Sequence, residues 1–144
     1  MTLQKKIKEI AQYVYESLGP GHAEGIYRDA MSIQLQEEGY IVKTEAPVSI
    51  TFITKKKKEM IVGNGRIDLL IQSKTKKNEK IILELKCVQP LLKNDSKNIE
   101  NTKEYLQLCK YLDSITTAKK GMIINFPFPS ADDGNIEIVL RKQL

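Results

Sequence analysis

The chain has 144 residues, 41% hydrophobic and 28% charged, and a formal net charge of +5. That length suits one domain, residues 1–144, with an ordinary core, and the composition excludes a disordered chain. No stretch approaches the ~18 apolar residues of a membrane helix, and the start, Met1-Thr2-Leu3-Gln4-Lys5-Lys6, has no apolar signal core, so no membrane role and an intracellular, cytoplasmic location are expected.

The apolar positions Leu3, Ile7, Ile10, Ala11, Val14 and Leu18 have helical spacing and predict a helix over 3–17, stopped by Gly19-Pro20-Gly21. A second helix is expected over roughly 22–38, with Ile26, Ala30, Ile33 and Leu35 inward and Gly39 as its C-cap. Residues 41–53 read as a strand, with Pro47 pointing to a sheet edge. Residues 59–72 and 80–88 read as two more strands, the second ended by Pro90. A helix over 97–113 and short strands at 121–126 and 136–140 follow. The order is helix, helix, three-strand meander, helix, strand, strand. A helix between the third and fourth strands implies a crossover, hence a central mixed sheet flanked by helices in an α/β (α+β) domain.

The segment Ile81-Ile82-Leu83-Glu84-Leu85-Lys86-Cys87-Val88 carries two charges inside an aliphatic strand. Alternation puts Leu83, Leu85 and Cys87 on one face and Glu84 and Lys86 on the other. Burying charge is costly unless it is paired or binds a metal. Arg66-Ile67-Asp68-Leu69-Leu70-Ile71 is a second such strand, and a turn centred on Lys76 would set Asp68 opposite Glu84. Like charges facing across two strands are destabilising, and a divalent cation between them reverses the sign. The bland alternative is an edge strand whose Glu84 and Lys86 pair in solvent.

Further polar positions could converge with these. Glu24 follows the Gly-Pro-Gly break, with Tyr27 one turn on to support it; its alternative role is that of a helix N-terminal carboxylate. Gln107 and Tyr111 share a helix face, which would otherwise be an ordinary half-exposed surface. Oxygen donors of this kind suit Mg²⁺ or Mn²⁺, and His22, the one histidine, reads as a capping or surface residue. Cys87 and Cys109 lie in no metal or redox motif and read as buried core thiols. Carboxylates, a cation and a lysine fit phosphodiester hydrolysis, in which Lys86 stabilises developing negative charge, a general-base role being the alternative. The net charge and the lysines at Lys55–Lys58 and Lys74–Lys80 fit contacts to phosphates, and equally fit solvated hairpin turns.

Gly21-His22-Ala23-Glu24-Gly25-Ile26-Tyr27 resembles the G-x-x-E-x-x-Y signature of the GxxExxY proteins, a branch of the PD-(D/E)XK nuclease superfamily. The resemblance continues through Arg66-Ile67-Asp68, Glu84-Leu85-Lys86, Gln107-Leu108-Cys109-Lys110-Tyr111-Leu112 and Gly121-Met122-Ile123-Ile124-Asn125-Phe126, covering nearly the whole chain. It implies a restriction-endonuclease-like αβββαβ core. It also implies Asp68, Glu84 and the backbone carbonyl of Leu85 as metal ligands, Lys86 as the catalytic lysine, and Glu24 as an acid near the metal. Gln107 and Tyr111 resemble the Q-x-x-x-Y pattern of the recombination-exonuclease branch, where it supports the active site and DNA. One departure is Glu104, where members often carry a histidine.

The sequence therefore predicts a Mg²⁺- or Mn²⁺-dependent deoxyribonuclease of DNA repair, recombination or processing. The alternative is a catalytically weak module on the same fold that binds nucleic acid or a protein partner. Single-stranded DNA, branched DNA and RNA stay open as substrates, as do endo- against exonucleolytic cutting and a homodimeric state.

Overall fold

The structure is a computed structural model that describes residues 2–76, 79–88, 103–114, 120–128 and 134–142. Helix α1 (Leu3–Leu18) is capped by Thr2, whose hydroxyl accepts from the Lys5 N–H at 3.2 Å. Its buried stripe is Leu3, Ile7, Ile10, Ala11, Val14 and Tyr15; Leu18 is exposed instead. The helix ends at Gly19, whose left-handed φ of 77° turns the chain away.

Helix α2 (Glu24–Glu37) begins two residues after His22, once the break is complete. It closes in a Schellman arrangement: Tyr40 N–H donates to the Leu35 carbonyl and Gly39 N–H to the Gln36 carbonyl, with Gly39 at φ 97°. Its inward stripe is Tyr27, Met31 and Leu35, with Ala30 partly buried. Ile26 and Ile33, expected inside, are exposed. The face that fits the sheet is set by the Tyr27 ring, which stacks on Phe126 with centroids 4.4 Å apart.

Strands β1 (Ile41–Ile53), β2 (Glu59–Gln72), β3 (Lys80–Lys86), β4 (Lys120–Asn125) and β5 (Glu137–Lys142) form one sheet in the order β1-β2-β3-β4-β5. β3 and β4 are parallel and the other pairs antiparallel, so α3 (Lys103–Ser114) lies on the crossover between them. This is the expected αβββαβ order with a mixed sheet. Pro47 lies on β1, an edge strand, as expected. The expected first turn of α3, residues 97–102, and Pro90 lie outside the described residues.

Two apolar layers cover the sheet. On one face α1 and α2 pack on Leu69, Ile71, Ile81, Leu83, Leu85, Met122 and Ile124. On the other, Leu108, Tyr111 and Leu112 of α3 pack on Ile67, Ile82 and Ile123. α3 sits close because Gly121 has no side chain: a Cβ there would lie 2.7 Å from a Leu108 methyl. β3 is thus covered on both faces, and its continuous aliphatic run follows from that position.

Candidate functional site

The β2–β3 ladder pairs Leu69 with Leu83 and Gln72 with Lys80, a register centred on Lys76. Continuing it sets Asp68 opposite Glu84, but the ladder stops at Leu69. One step further the Asp68 carboxylate takes the place of a backbone acceptor and receives the Leu85 N–H at 2.7 Å. The two strands splay there, and Asp68 spans the gap. The face alternation of β2 also breaks at this point: Leu69 packs under α1 and α2, whereas Ile67 packs under α3. Side chains two apart in a regular strand share a face, so Asp68 occupies the irregularity.

Glu84 is 5% exposed, and its Oε1 has no hydrogen-bond partner among the described residues. Burial and then the Asp68 carboxylate push its carboxyl up to about 8, against the opposing pull of Lys86. Glu24, the first residue of α2, is half-buried. Burial, then Asp68, hold its carboxyl above the usual range, while Lys86 and Arg28 act the other way. Asp68 is thus the carboxylate that both glutamates face. Lys86 stands two residues beyond Glu84 on the same strand and is half-buried. Among the described residues it has no ion-pair partner within 4.0 Å. The solvent-facing edge-strand pair is therefore not what forms: β3 is the central strand and Glu84 is buried.

The Leu85 carbonyl has a direction fixed by its neighbours. The Lys86 carbonyl is taken by the Phe126 N–H at 2.8 Å, toward β4. Successive carbonyls in a strand point to opposite edges, so that of Leu85 points toward β2 and Asp68, the side to which its own N–H donates.

Residues 1–138 match the PD-(D/E)XK nuclease superfamily. The chain belongs to that family. Among solved structures it is similar to an alkaline exonuclease from Laribacter hongkongensis, at 14% identity and a TM-score of 0.43, over 100% of this chain and 73% of that one. No curated protein matches the sequence.

PD-(D/E)XK nucleases generally use divalent metal ions, and the donors here fit one. A buried carboxylate oxygen without a partner, set against a second carboxylate, is an arrangement that a divalent cation relieves. Among the described residues no group of three or more His, Cys, Asp and Glu is placed to hold a metal ion. What the described residues offer a cation is a carboxylate pair with a neighbouring backbone carbonyl.

Gln107 and Tyr111 stand on α3. Gln107 Nε2 donates to the Tyr111 hydroxyl at 2.7 Å. Together with Ile50, Lys103, Leu106 and Lys110 they line a groove of about 460 Å³ at the root of the β1–β2 hairpin. The Tyr111 ring lies directly over Gly65 of β2, where a Cβ would stand 2.6 Å from its hydroxyl oxygen. That close approach is why β2 carries a glycine there.

Tyr27 does not support Glu24. It is fully buried, and its hydroxyl donates to the Gly19 carbonyl at 2.6 Å while accepting the His22 N–H at 3.3 Å. Its hydroxyl ties the Gly19–Gly21 turn onto α2. His22 is exposed, and its ring Nε2 lies 2.9 Å from the Leu18 carbonyl, in keeping with a surface or capping role.

Sequence reasoning missed Asn125. It is 1% exposed at the end of β4, accepts the Val88 N–H at 3.0 Å, and donates to the Val88 carbonyl at 3.2 Å and to Glu137 at 2.7 Å. Its side chain replaces a ladder step, which ends β3 at Lys86 rather than Val88 and fixes the segment leaving the site. Cys87 lies on that segment. Both cysteines are half-buried rather than fully buried, and burial pushes the Cys87 thiol up to about 11, which keeps it protonated and unreactive.

Among the described residues no helix is long and apolar enough to cross a membrane.

Proposed function

We propose that this protein is a Mg²⁺- or Mn²⁺-dependent nuclease that hydrolyses phosphodiester bonds in DNA. In this reading it is a member of the GxxExxY branch, acting in DNA repair, recombination or processing. The observation that carries the proposal is the buried, unpartnered Glu84 oxygen against Asp68.

Asp68, Glu84 and the Leu85 carbonyl would hold the ion. When bound, a divalent ion polarises the phosphoryl oxygens and acidifies a coordinated water. Lys86 extends from the same strand as Glu84 with no competing ion pair among the described residues, so its ammonium is available to the phosphate as negative charge develops. Glu24 holds a proton more readily than an exposed glutamate, which suits a carboxyl that takes or gives one at a nearby water or a second ion. Gln107 and Tyr111 would bind the strand beyond the reacting phosphate from their groove.

Purified protein incubated with plasmid, linear duplex, single-stranded and branched DNA tests this reading. We expect cleavage with Mg²⁺ or Mn²⁺, none with EDTA, and none from Glu84→Gln. Cleavage that survives EDTA, or no cleavage of any substrate, contradicts it.

A further inference from the structure

The β1–β2 hairpin runs well past the rest of the sheet. β3 pairs only with Leu69–Gln72 of β2, so Glu59–Asp68 and their β1 partners form a two-stranded ribbon rooted at Asp68. At a strand's rise per residue, roughly 30 Å separates Asp68 from the ribbon's tip. Near that tip both faces are apolar and open: Phe52 pairs with Met60 and Thr51 with Ile61, and Phe52, Ile53, Met60 and Ile61 are exposed. Phe52 is 57% exposed and Ile61 65%. The turn that joins the strands is Lys55-Lys56-Lys57-Lys58, all exposed, with Lys57 held at φ 68° and its N–H on the Thr54 carbonyl at 2.9 Å.

The outer end of the ribbon, beyond the part that α3 covers, is two-stranded with apolar side chains on both faces; such an element is marginal in water, and clustered exposed apolar surface marks a binding site. Its covering partner must also answer four ammonium groups. A second copy brings its own lysines and adds to the chain's net charge of +5, which opposes that pairing. A polyanion complements the tip. The ribbon starts at Asp68, so a strand seated along it leads into the acidic site. Phe52, Ile53, Met60 and Ile61 have no hydrogen-bonding atoms with which to read the polar groove edges of a duplex. Unpaired bases offer apolar faces, and lysines between them take the phosphates. The groove at the ribbon's root repeats that pattern, with Ile50 and Leu106 beside Lys103 and Lys110.

We infer that the β1–β2 ribbon is an arm that binds a single-stranded stretch of nucleic acid and delivers it to the site at Asp68 and Glu84. The inference deepens the proposed nuclease reading, on which it rests, by naming the form of its substrate.

Binding of the full chain to labelled oligo(dT) of about 20 nucleotides and to a duplex of equal length tests it, by fluorescence anisotropy with Ca²⁺ replacing Mg²⁺. We expect the single strand to bind ~10-fold or more tightly than the duplex, and Phe52→Ser/Ile61→Ser to weaken the single strand ~10-fold while changing the duplex less than about 3-fold. Replacing Lys55 to Lys58 by glutamine should lower the salt slope for the single strand by about 3. These side chains are exposed, so the variants should keep the wild-type melting temperature. Equal or tighter duplex binding, or unchanged single-strand affinity in the Phe52→Ser/Ile61→Ser variant, overturns the arm. So does a variant that only converts a dimer to a monomer in sedimentation, which would assign the ribbon to a second copy.

A cleavage assay on the same proteins separates this inference from the proposal beneath it. Ribbon-dependent single-strand binding with no cleavage under any metal refutes the nuclease and leaves the arm standing. Cleavage whose KM for single strands ignores the ribbon variants refutes the arm and leaves the nuclease.

Discussion

The Asp68 carboxylate accepts the Leu85 N–H at 2.7 Å across the point where β2 and β3 part. One side chain therefore closes a gap in the sheet and faces two glutamates. An asparagine can keep the first role, because its Oδ1 still accepts, but loses the charge. Asp68→Asn should fold normally and lose the metal-induced rise in melting temperature that binding to the native state produces. Asp68→Ala removes the acceptor as well and should cost about 1–3 kcal/mol, the range for orphaning a buried donor. Denaturant titration of both variants checks the contrast; equal destabilisation would remove the structural role.

Stability should depend on pH through Glu84. Its carboxyl is raised from 4.5 to about 8 in the folded state, so the folded chain binds the proton more tightly than the unfolded one. That contribution is complete below pH 4.5 and is lost as pH rises through about 8. The raised carboxyl of Glu24 acts in the same direction. In EDTA the melting temperature should fall across this window, and less steeply in Glu84→Gln. A divalent ion competes with the proton, so its stabilising effect should grow over the same window. A metal effect that shrinks as pH rises would argue against carboxylate ligation.

The facing of Asp68 and Glu84 was legible because a short polar turn between two alternating strands leaves few registers, and the one centred on Lys76 is found. The αβββαβ order was legible for the same local reasons. Leu85's hydrogen bond was not, since nothing in the sequence says where a ladder stops. The inward face of α2 was misread because Ile26 and Ile33 outrank tyrosine on hydrophobicity. Only the tertiary stack of Tyr27 on Phe126, with the bond to Gly19, reveals which stripe is inside. Asn125 gave no signal, because a lone amide at a strand end looks like any turn residue. Gln107 and Tyr111 were expected to join the carboxylates in one site, and from α3 they line a groove with Ile50.

Lys86 should matter to turnover and little to folding. Lys86→Ala should lose about 10²-fold or more in cleavage rate, the size of one transition-state charge contact, while Mn²⁺ binding persists. The absence of an ion pair within 4.0 Å among the described residues predicts an unchanged melting temperature. A variant that unfolds would show that Lys86 is structural.

Glu24 separates a site carboxylate from a helix-end one. It is the first residue of α2, whose N-cap Ala23 offers no side-chain hydrogen bond, so a dipole role predicts a loss of ~0.3–1 kcal/mol in Glu24→Gln with normal cleavage. Its position against Asp68 predicts instead a strong drop in single-turnover cleavage with metal binding largely kept. Measuring both quantities on one variant decides between them.

Calorimetric titration of Mn²⁺ into the wild type and into Asp68→Asn/Glu84→Gln at neutral pH tests the paired-ligand site most directly. The account predicts saturable binding with proton release in the wild type and neither in the double variant. An unchanged titration in the double variant would contradict it.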